Sequence, residues 1–333
     1  MKAIIPVAGV GSRLRPHTNT LPKVLMNVAG KSIIGHIIDS IISAGVDELI
    51  LIVGHLGDMV RDMISQWYPD LKITYVEQPE RHGLGHAIYL AEPYIDMTQP
   101  VCIILGDTIF RADFNKFLRE PTNVIGVKEV DDPRRFGVAM TKNGTVYELI
   151  EKPADPKSNL ALIGMYRIQD TKALFDTLAH MIQEDHRTKG EIQLTDALQL
   201  MLAGGAEMKT FTIDKWLDCG KPETLLSTNH ILLEEFANTT RNKNYTNCII
   251  HQPVYIDPTA SVSDSVIGPN VTIAAHATVR FSIISESLIH EDAFVSNMIL
   301  FESLIGTKAV LKGSRMNINI GDSSNIDFTR HGM

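Results

Sequence analysis

The sequence predicts an α/β fold with a mostly parallel sheet, followed by a short β-solenoid. Three observations carry this. Short apolar runs alternate with helix-length amphipathic segments over the first 230 residues, a polar stretch almost free of aliphatics follows, and beyond it an aliphatic residue recurs every five or six positions. The length of 333 residues exceeds what one hydrophobic core usually covers, so two domains are expected.

The elements follow in chain order. Ala3 to Val7 is short, apolar and followed at once by glycines, which predicts a buried strand. Ser32 can cap a helix carrying Ile33, Ile34, Ile37, Ile38, Ile41 and Ile42, an i, i+3/i+4 stripe that stops near Gly45. Leu49 to Val53 is the next expected strand and Asp58 to Trp67 the next helix. Ile73 to Val76 and Val101 to Leu105 supply two more strands, with a helix from about His86 to Tyr94 between them. Such alternation implies a parallel sheet covered by helices on both faces, with ligands beyond the carboxyl ends of the strands. Chemistry is therefore expected in the loops that begin at Ala8, Gly54, Glu77 and Gly106.

The polar stretch from Ala237 to Asn247 marks the boundary, giving a first domain over 1–237 and a linker over 238–248. Its two N-x-[ST] matches, at Asn238 and Asn244, read as chance because no secretory signal stands behind Lys2. Next, Ile256, Val262, Ile267, Ile273, Val279, Ile284, Ile289, Val295, Leu300, Ile305 and Leu311 hold one register, and every third step closes a period of 17, 16 and 16 residues. Small residues, Ala260, Ala277, Ala293 and Ala309, stand four positions after Ile256, Ile273, Ile289 and Ile305. Neither a helix nor an ordinary meander needs such a period. A three-sided β-solenoid does, with one inward aliphatic on each side and small residues at its corners. It is expected over 249–325, with a tail over 326–333. The run resembles the hexapeptide repeats of left-handed β-helices, including the pieces Ile267-Gly268 and Ile305-Gly306.

Composition narrows the function. A net charge of -8 argues against nucleic-acid or anionic-membrane partners. The longest apolar stretches are too short to span a bilayer, so a soluble, cytoplasmic protein is expected. Cys102, Cys219 and Cys248 share no CxxC spacing, which excludes a disulfide framework or thiolate zinc site as the organising principle.

The first loop reads Ala8-Gly9-Val10-Gly11-Ser12-Arg13-Leu14-Arg15-Pro16, with Pro22-Lys23 following. Glycines after a first strand let backbone N–H groups approach a phosphate. Leu14 stands where a dinucleotide fingerprint needs its third glycine, and the Gly-Lys-Ser/Thr ending of a P-loop is absent. What distinguishes the loop is the cation pair Arg13 and Lys23, able to offset a triphosphate's charge as pyrophosphate leaves.

This stretch resembles the signature of sugar-1-phosphate nucleotidylyltransferases, close to G-x-G-[ST]-R-L-x-P-x-T followed by P-K. The resemblance continues in order through Gln78 and Gly83-Leu84-Gly85-His86-Ala87, Leu105-Gly106-Asp107, and Phe136-Gly137-Val138. It ends with Glu151-Lys152-Pro153, Gly190-Glu191-Ile192-Gln193-Leu194-Thr195-Asp196 and Trp216-Leu217-Asp218-Cys219-Gly220. Two departures stand out: Val10 replaces the second glycine of the usual pair, and Thr108 follows Asp107 where thymidylyltransferases often have Asn.

The resemblance implies a Rossmann-like sheet of the nucleotide-diphospho-sugar transferase type, ending in a left-handed parallel β-helix. Arg13, Lys23 and Lys152 would be catalytic, Arg13 on the β- and γ-phosphates, Lys23 on the α-phosphate and Lys152 on the sugar phosphate. Ala8, Gly9, Gly11, Ser12, Gln78, Gly83 and Asp107 would hold the nucleotide. Gly137, Glu151, Gly164, Glu191 and Thr195 would hold the sugar. Asp107 and Asp218 would bind Mg²⁺, which takes oxygen ligands from one or two carboxylates plus substrate phosphates. Gln78 can donate and accept on a uracil or thymine edge. The expected reaction is glucose 1-phosphate plus dTTP giving dTDP-glucose and pyrophosphate. A UTP-dependent uridylyltransferase is the alternative, ahead of a mannose-1-phosphate guanylyltransferase. An additional acyltransferase activity and a non-catalytic regulatory subunit rank lower, and homo-oligomerisation through the solenoid is expected. His82 and His86, at metal-ligand spacing, read as loop packing, and Arg134 and Arg135 as solvated charges.

Overall fold

The computed structural model describes residues 1–236, 245–314 and Ser323. Most of the expected linker, with Asn238 and Asn244, lies outside the described residues. So do the end of the expected solenoid and the 326–333 tail.

The first part runs β1 (Lys2–Pro6), a small hairpin of β2 (Asn27–Val28) and β3 (Lys31–Ser32), α1 (Ile33–Ser43), β4 (Glu48–Val53), α2 (Gly57–Trp67), β5 (Lys72–Glu77) and α3 (Leu84–Tyr89). It continues through β6 (Val101–Ile104), β7 (Thr108–Arg111), α4 (Phe114–Arg119), β8 (Asn123–Glu129), β9 (Gly137–Lys142), β10 (Thr145–Glu151) and β11 (Leu160–Ile168). Then come α5 (Thr171–Gln183), α6 (Leu194–Ala203), β12 (Met208–Thr212), β13 (Lys215–Asp218) and α7 (Pro222–Phe236). The Ser32 hydroxyl accepts the Gly35 N–H at 3.0 Å, the cap read from sequence. The helix expected to reach Tyr94 stops at Tyr89 and resumes as a 3₁₀ turn over Glu92–Tyr94, because Pro93 has no N–H and cannot continue a helix.

The nine-stranded sheet has the order β5-β4-β1-β6-β11-β8-β12-β10-β9. Its first four strands are parallel, as expected. Beyond them the sheet is mixed: β11 runs antiparallel to both β6 and β8, and β9 antiparallel to β10. Asn143-Gly144 explains part of this. Both residues have positive φ, and a two-residue turn of that kind can join only antiparallel strands. Helices cover both faces. Ala3 and Ile5 pack towards Ile33, Ile34 and Ile38 of α1, whereas Ile4, Ile50 and Ile52 face the cluster of Ile88, Leu174 and Phe175.

Among the described residues, the second part consists of twelve short strands: β14 (Ile249–Ile250), β15 (Val254–Ile256), β16 (Ser261–Ser263), β17 (Val266–Ile267), β18 (Val271–Ile273), β19 (Thr278–Arg280), β20 (Ile283–Ser285), β21 (Leu288–Ile289), β22 (Phe294–Ser296), β23 (Ile299–Phe301), β24 (Leu304–Ile305) and β25 (Val310–Lys312). The first nine each pair in parallel with the third strand ahead, making three four-stranded parallel sheets. The eleven aliphatics singled out in the sequence stack in three columns: Ile256–Ile273–Ile289–Ile305, Val262–Val279–Val295–Leu311 and Ile267–Ile284–Leu300. All of them contribute to one hydrophobic core. Between the strands, Asp264, Asn270, His276, Phe281, Glu286, Asp292, Asn297, Glu302 and Lys308 each adopt left-handed φ, so the bend recurs in backbone geometry rather than in residue type.

The two parts meet along α7 and along the loop around His17, whose ring faces His290, while Leu288, Tyr255 and Leu304 pack on the core of the first part. Buried Asn229 accepts from the Ala29 N–H (2.9 Å) and the Thr272 hydroxyl (2.6 Å), and donates to the Asn270 carbonyl (3.2 Å).

Candidate active site

The carboxyl ends of β1, β5 and β6 open onto a cavity of about 540 Å³. Ala8, Gly9, Gly11, Ser12, Arg13 and Lys23 line it on one side, with Gln78, Arg81, Gly83, Leu84, Asp107, Glu191 and Gly220 completing the wall. The local fold follows from close packing. Gly11 has φ +60, and a Cβ there would stand 2.9 Å from Thr18 Cγ2 and 3.0 Å from Lys23 Cβ. The Thr18 hydroxyl closes this turn by donating to the Gly11 carbonyl at 2.8 Å. Arg13 and Lys23 are thereby turned into the same cavity.

Lys23 is buried, and its ammonium donates to Asp107 Oδ2 at 2.9 Å. The Thr108 hydroxyl donates to Oδ1 of the same carboxylate at 3.2 Å. Burial alone would raise the Asp107 pKa. The Lys23 charge and hydrogen bond, the Thr108 hydroxyl and the Arg13 charge outweigh it and hold the carboxyl below its ordinary range. The Asp107 side chain remains 46% exposed, so it can still take a ligand from the cavity. Asp218, at the end of β13, lies opposite Thr108 across an antiparallel pair, which brings the second carboxylate to the neighbouring strand. Its Oδ1 accepts the Gly220 N–H at 2.8 Å. Between these groups, burial pushes the Cys219 thiol up to about 12, which leaves it a poor nucleophile.

The expected sugar residues divide. Gly137 pairs with Glu151 across the β9–β10 hairpin. The Thr195 hydroxyl donates to Glu151 Oε2 at 2.7 Å, and Lys152 Nζ lies 2.9 Å from Glu151 Oε1. These four residues form one cluster. Glu191 instead lines the cavity that holds Gly11, Arg13 and Gln78, where its Oε2 accepts from Gln193 Nε2. It is carried there by the docking of Ile192, whose N–H donates to the His82 carbonyl at 2.7 Å. Gly164 supports rather than lines the site: its carbonyl accepts the Leu105 N–H at 2.8 Å, and a Cβ would stand 2.5 Å from Leu105 Cγ.

Gln78 is buried at the far end of the cavity, with its Nε2 3.2 Å from the Gly83 carbonyl and 3.1 Å from His86 Nδ1. Gly83 has φ +108 and sits so close to the chain that a Cβ would meet the Ile192 carbonyl at 2.5 Å. The His82 and His86 rings meet edge to face with centroids 5.0 Å apart. Among the described residues no group of three or more His, Cys, Asp or Glu could hold a metal. Arg134 is tied to Asp132 on the surface. Sequence reading missed Arg81 as a wall of the cavity, although it is the one cation in Gln78-Pro79-Glu80-Arg81-His82.

A glycine turn carrying two cations, facing Asp107 at the carboxyl edge of a parallel sheet, is the kind of site that handles nucleoside phosphates. The chain belongs to the nucleotidyl transferase family, which it matches over residues 2–235. It is 34% identical to the UTP–glucose-1-phosphate uridylyltransferase AglF of Haloferax volcanii over 249 residues, covering 72% of this chain and 100% of that one. The glucose-1-phosphate thymidylyltransferase of Streptomyces antibioticus is 29% identical across 98% of this chain and 99% of its own. A crystal structure from Bacillus anthracis, described as a glucose-1-phosphate thymidylyltransferase in complex with sucrose, superposes with a TM-score of 0.60 at 28% identity, covering 73% of this chain and 98% of that one. Among the described residues no helix is long and apolar enough to cross a membrane.

Proposed function

We propose that the protein condenses a nucleoside triphosphate with a sugar 1-phosphate, and that dTTP and glucose 1-phosphate are its pair. The observation that carries this reading is the Lys23–Asp107 contact beside Gly11 and Arg13, in a cavity that reaches Gln78 at its other end. A phosphate oxygen of the sugar phosphate would attack the α-phosphorus, the bond to the bridging oxygen would break, and pyrophosphate would leave with the bonding electrons. Such a displacement needs in-line placement and charge neutralisation more than acid or base. Arg13 offsets charge on the β- and γ-phosphates, Lys23 on the α-phosphate, and Lys152 holds the attacking phosphate while Glu151 and Thr195 take sugar hydroxyls. No covalent intermediate is needed.

The donor set suits Mg²⁺: Asp107 and Asp218 offer only carboxylate oxygens, and two such groups leave room for substrate phosphates. When bound, the ion would neutralise phosphate charge and fix phosphate geometry. The thymidylyl choice is supported by the Streptomyces relative, whose match spans the solenoid as well. A uridylyl choice is the second reading, favoured by the higher identity of the Haloferax relative over the sheet part. We assign 1–237 as the nucleotidylyltransferase domain, 238–248 as linker and 249–325 as a left-handed β-helix that joins copies of the chain.

The test is pyrophosphate release with Mg²⁺, crossing dTTP, UTP, GTP, ATP and CTP with glucose, mannose, galactose and N-acetylglucosamine 1-phosphates. Release that requires both substrates, fastest with dTTP and glucose 1-phosphate, is expected. A GTP optimum would overturn the base assignment, and no release with any pair would overturn the reaction.

A further inference from the structure

We propose that His86 is a positioning residue that fixes the side-chain amide of Gln78, so that Oε1 rather than Nε2 is presented to the nucleobase. The site would then select bases carrying a ring N–H, such as uracil and thymine, against cytosine and adenine, whose ring nitrogens accept. This rests on the reading of Gln78 as the base contact.

The geometry leaves the amide one orientation. A backbone carbonyl can only accept, so the Gln78 atom 3.2 Å from the Gly83 oxygen must be the NH₂ group. The same nitrogen lies 3.1 Å from His86 Nδ1, which must then carry a lone pair and place its proton on Nε2. Both amide hydrogens are thus spent on the protein. No donor among the described residues reaches Gln78 Oε1, and Gln78 lines the cavity. An acceptor there pairs with the N3–H of uracil or thymine and faces the N3 lone pair of cytosine.

His86 is suited to acceptor duty because it stays neutral. Burial lowers its pKa, and the nearby His82 and Arg187 lower it further against the opposing charge of Glu80. A flipped Gln78 amide would set its oxygen against the Gly83 carbonyl and lose the lone-pair match at His86, two faults at once.

The experiment compares kcat/KM for UTP and dTTP with that for CTP, at saturating glucose 1-phosphate, in the full chain. His86→Phe, which removes the acceptor, is expected to lower the UTP-to-CTP ratio about tenfold or more, through KM rather than kcat. His86→Asn can return an acceptor oxygen near the Nδ1 position and is expected to restore most of the ratio. A ratio unchanged in His86→Phe but collapsed in Gln78→Ala would overturn the amide lock while keeping the base contact. A ratio unchanged in Gln78→Ala would overturn the base contact and the lock with it. One measurement needs no variant: ¹⁵N shifts of the His86 ring in the intact protein should report the Nε2–H tautomer, and an Nδ1–H tautomer would overturn the proposal.

Discussion

Lys23 has little freedom: its ammonium is buried against one oxygen of Asp107, while Thr108 holds the other. Asp107→Asn should therefore abolish Mg²⁺-dependent pyrophosphate release while costing about 1–3 kcal/mol of stability, since Lys23 keeps only a neutral partner. Steady-state rates and a thermal melt on the same sample would check both. Arg13→Ala should lower kcat by about 10²–10³-fold, the scale expected for one lost electrostatic contact to transition-state charge, with little change in the KM for sugar phosphate. An equal rise in that KM would place Arg13 on the other substrate. At this scale the sequence was legible in placement wherever the residues stand in contiguous motifs: Gly11, Arg13, Lys23 and Asp107 all line one cavity. It was not legible where the role depends on what packs behind. Glu191 lines the cavity of Arg13 and Gln78 because Ile192 docks on His82, and Gly164 accepts from Leu105; neither contact has a signature along the chain.

Helices and strands add a pH dependence through two buried imidazoles. Burial is the chief cause that lowers His36 to about 4, and it lowers His290 to about 4 as well. The folded state thus favours neutral rings, whereas the unfolded chain takes up protons near pH 6.5. Their contribution is complete above pH 6.5 and is lost as pH falls towards 4, at about 3 kcal/mol for each ring. Urea midpoints from pH 7.5 to 4.5 should fall accordingly, and the fall should shrink in a His36→Gln/His290→Gln double variant. Element boundaries were readable where periodicity and caps coincide, as in α1. The mixed half of the sheet was not: β11 is buried along nearly its whole length, so its apolar run carries no direction, and a parallel strand reads the same as an antiparallel one. The Asn143-Gly144 turn was the available clue.

Across the molecule, Asn229 carries three of the hydrogen bonds that join the two parts, beside the His230–Glu286 contact and the packing of Tyr255, Leu288 and Leu304 on the core of the first. Asn229→Ala would leave the Ala29 N–H, the Thr272 hydroxyl and the Asn270 carbonyl without their partner, at a cost of about 2–5 kcal/mol. Calorimetry should show one transition for the wild type and a lower or split transition for the variant, and an unchanged trace would remove Asn229 from the junction. Assembly is a separate expectation. Ile249, Ile283 and Ile299 are exposed along one sheet of the solenoid, with Ile299 at 79%. Light scattering of a chain lacking 249–333 should give fewer subunits per particle than the full chain, and an unchanged subunit number would remove the solenoid from assembly.

The three aliphatic columns have a consequence for how such a tail can change length. Ile273 pairs with Ile289 and Ile289 with Ile305, so each of these two coils is a self-similar cassette of 16 residues, whose left-handed bends at His276, Phe281, Glu286, Asp292, Asn297 and Glu302 use no glycine. Removing residues 274–289 would bring the next cassette into the vacated place with every column still in phase, whereas removing half as many would put loop residues into the core. Gain or loss of whole coils thus keeps the columns in register, and the tail can be lengthened by duplication rather than by redesign.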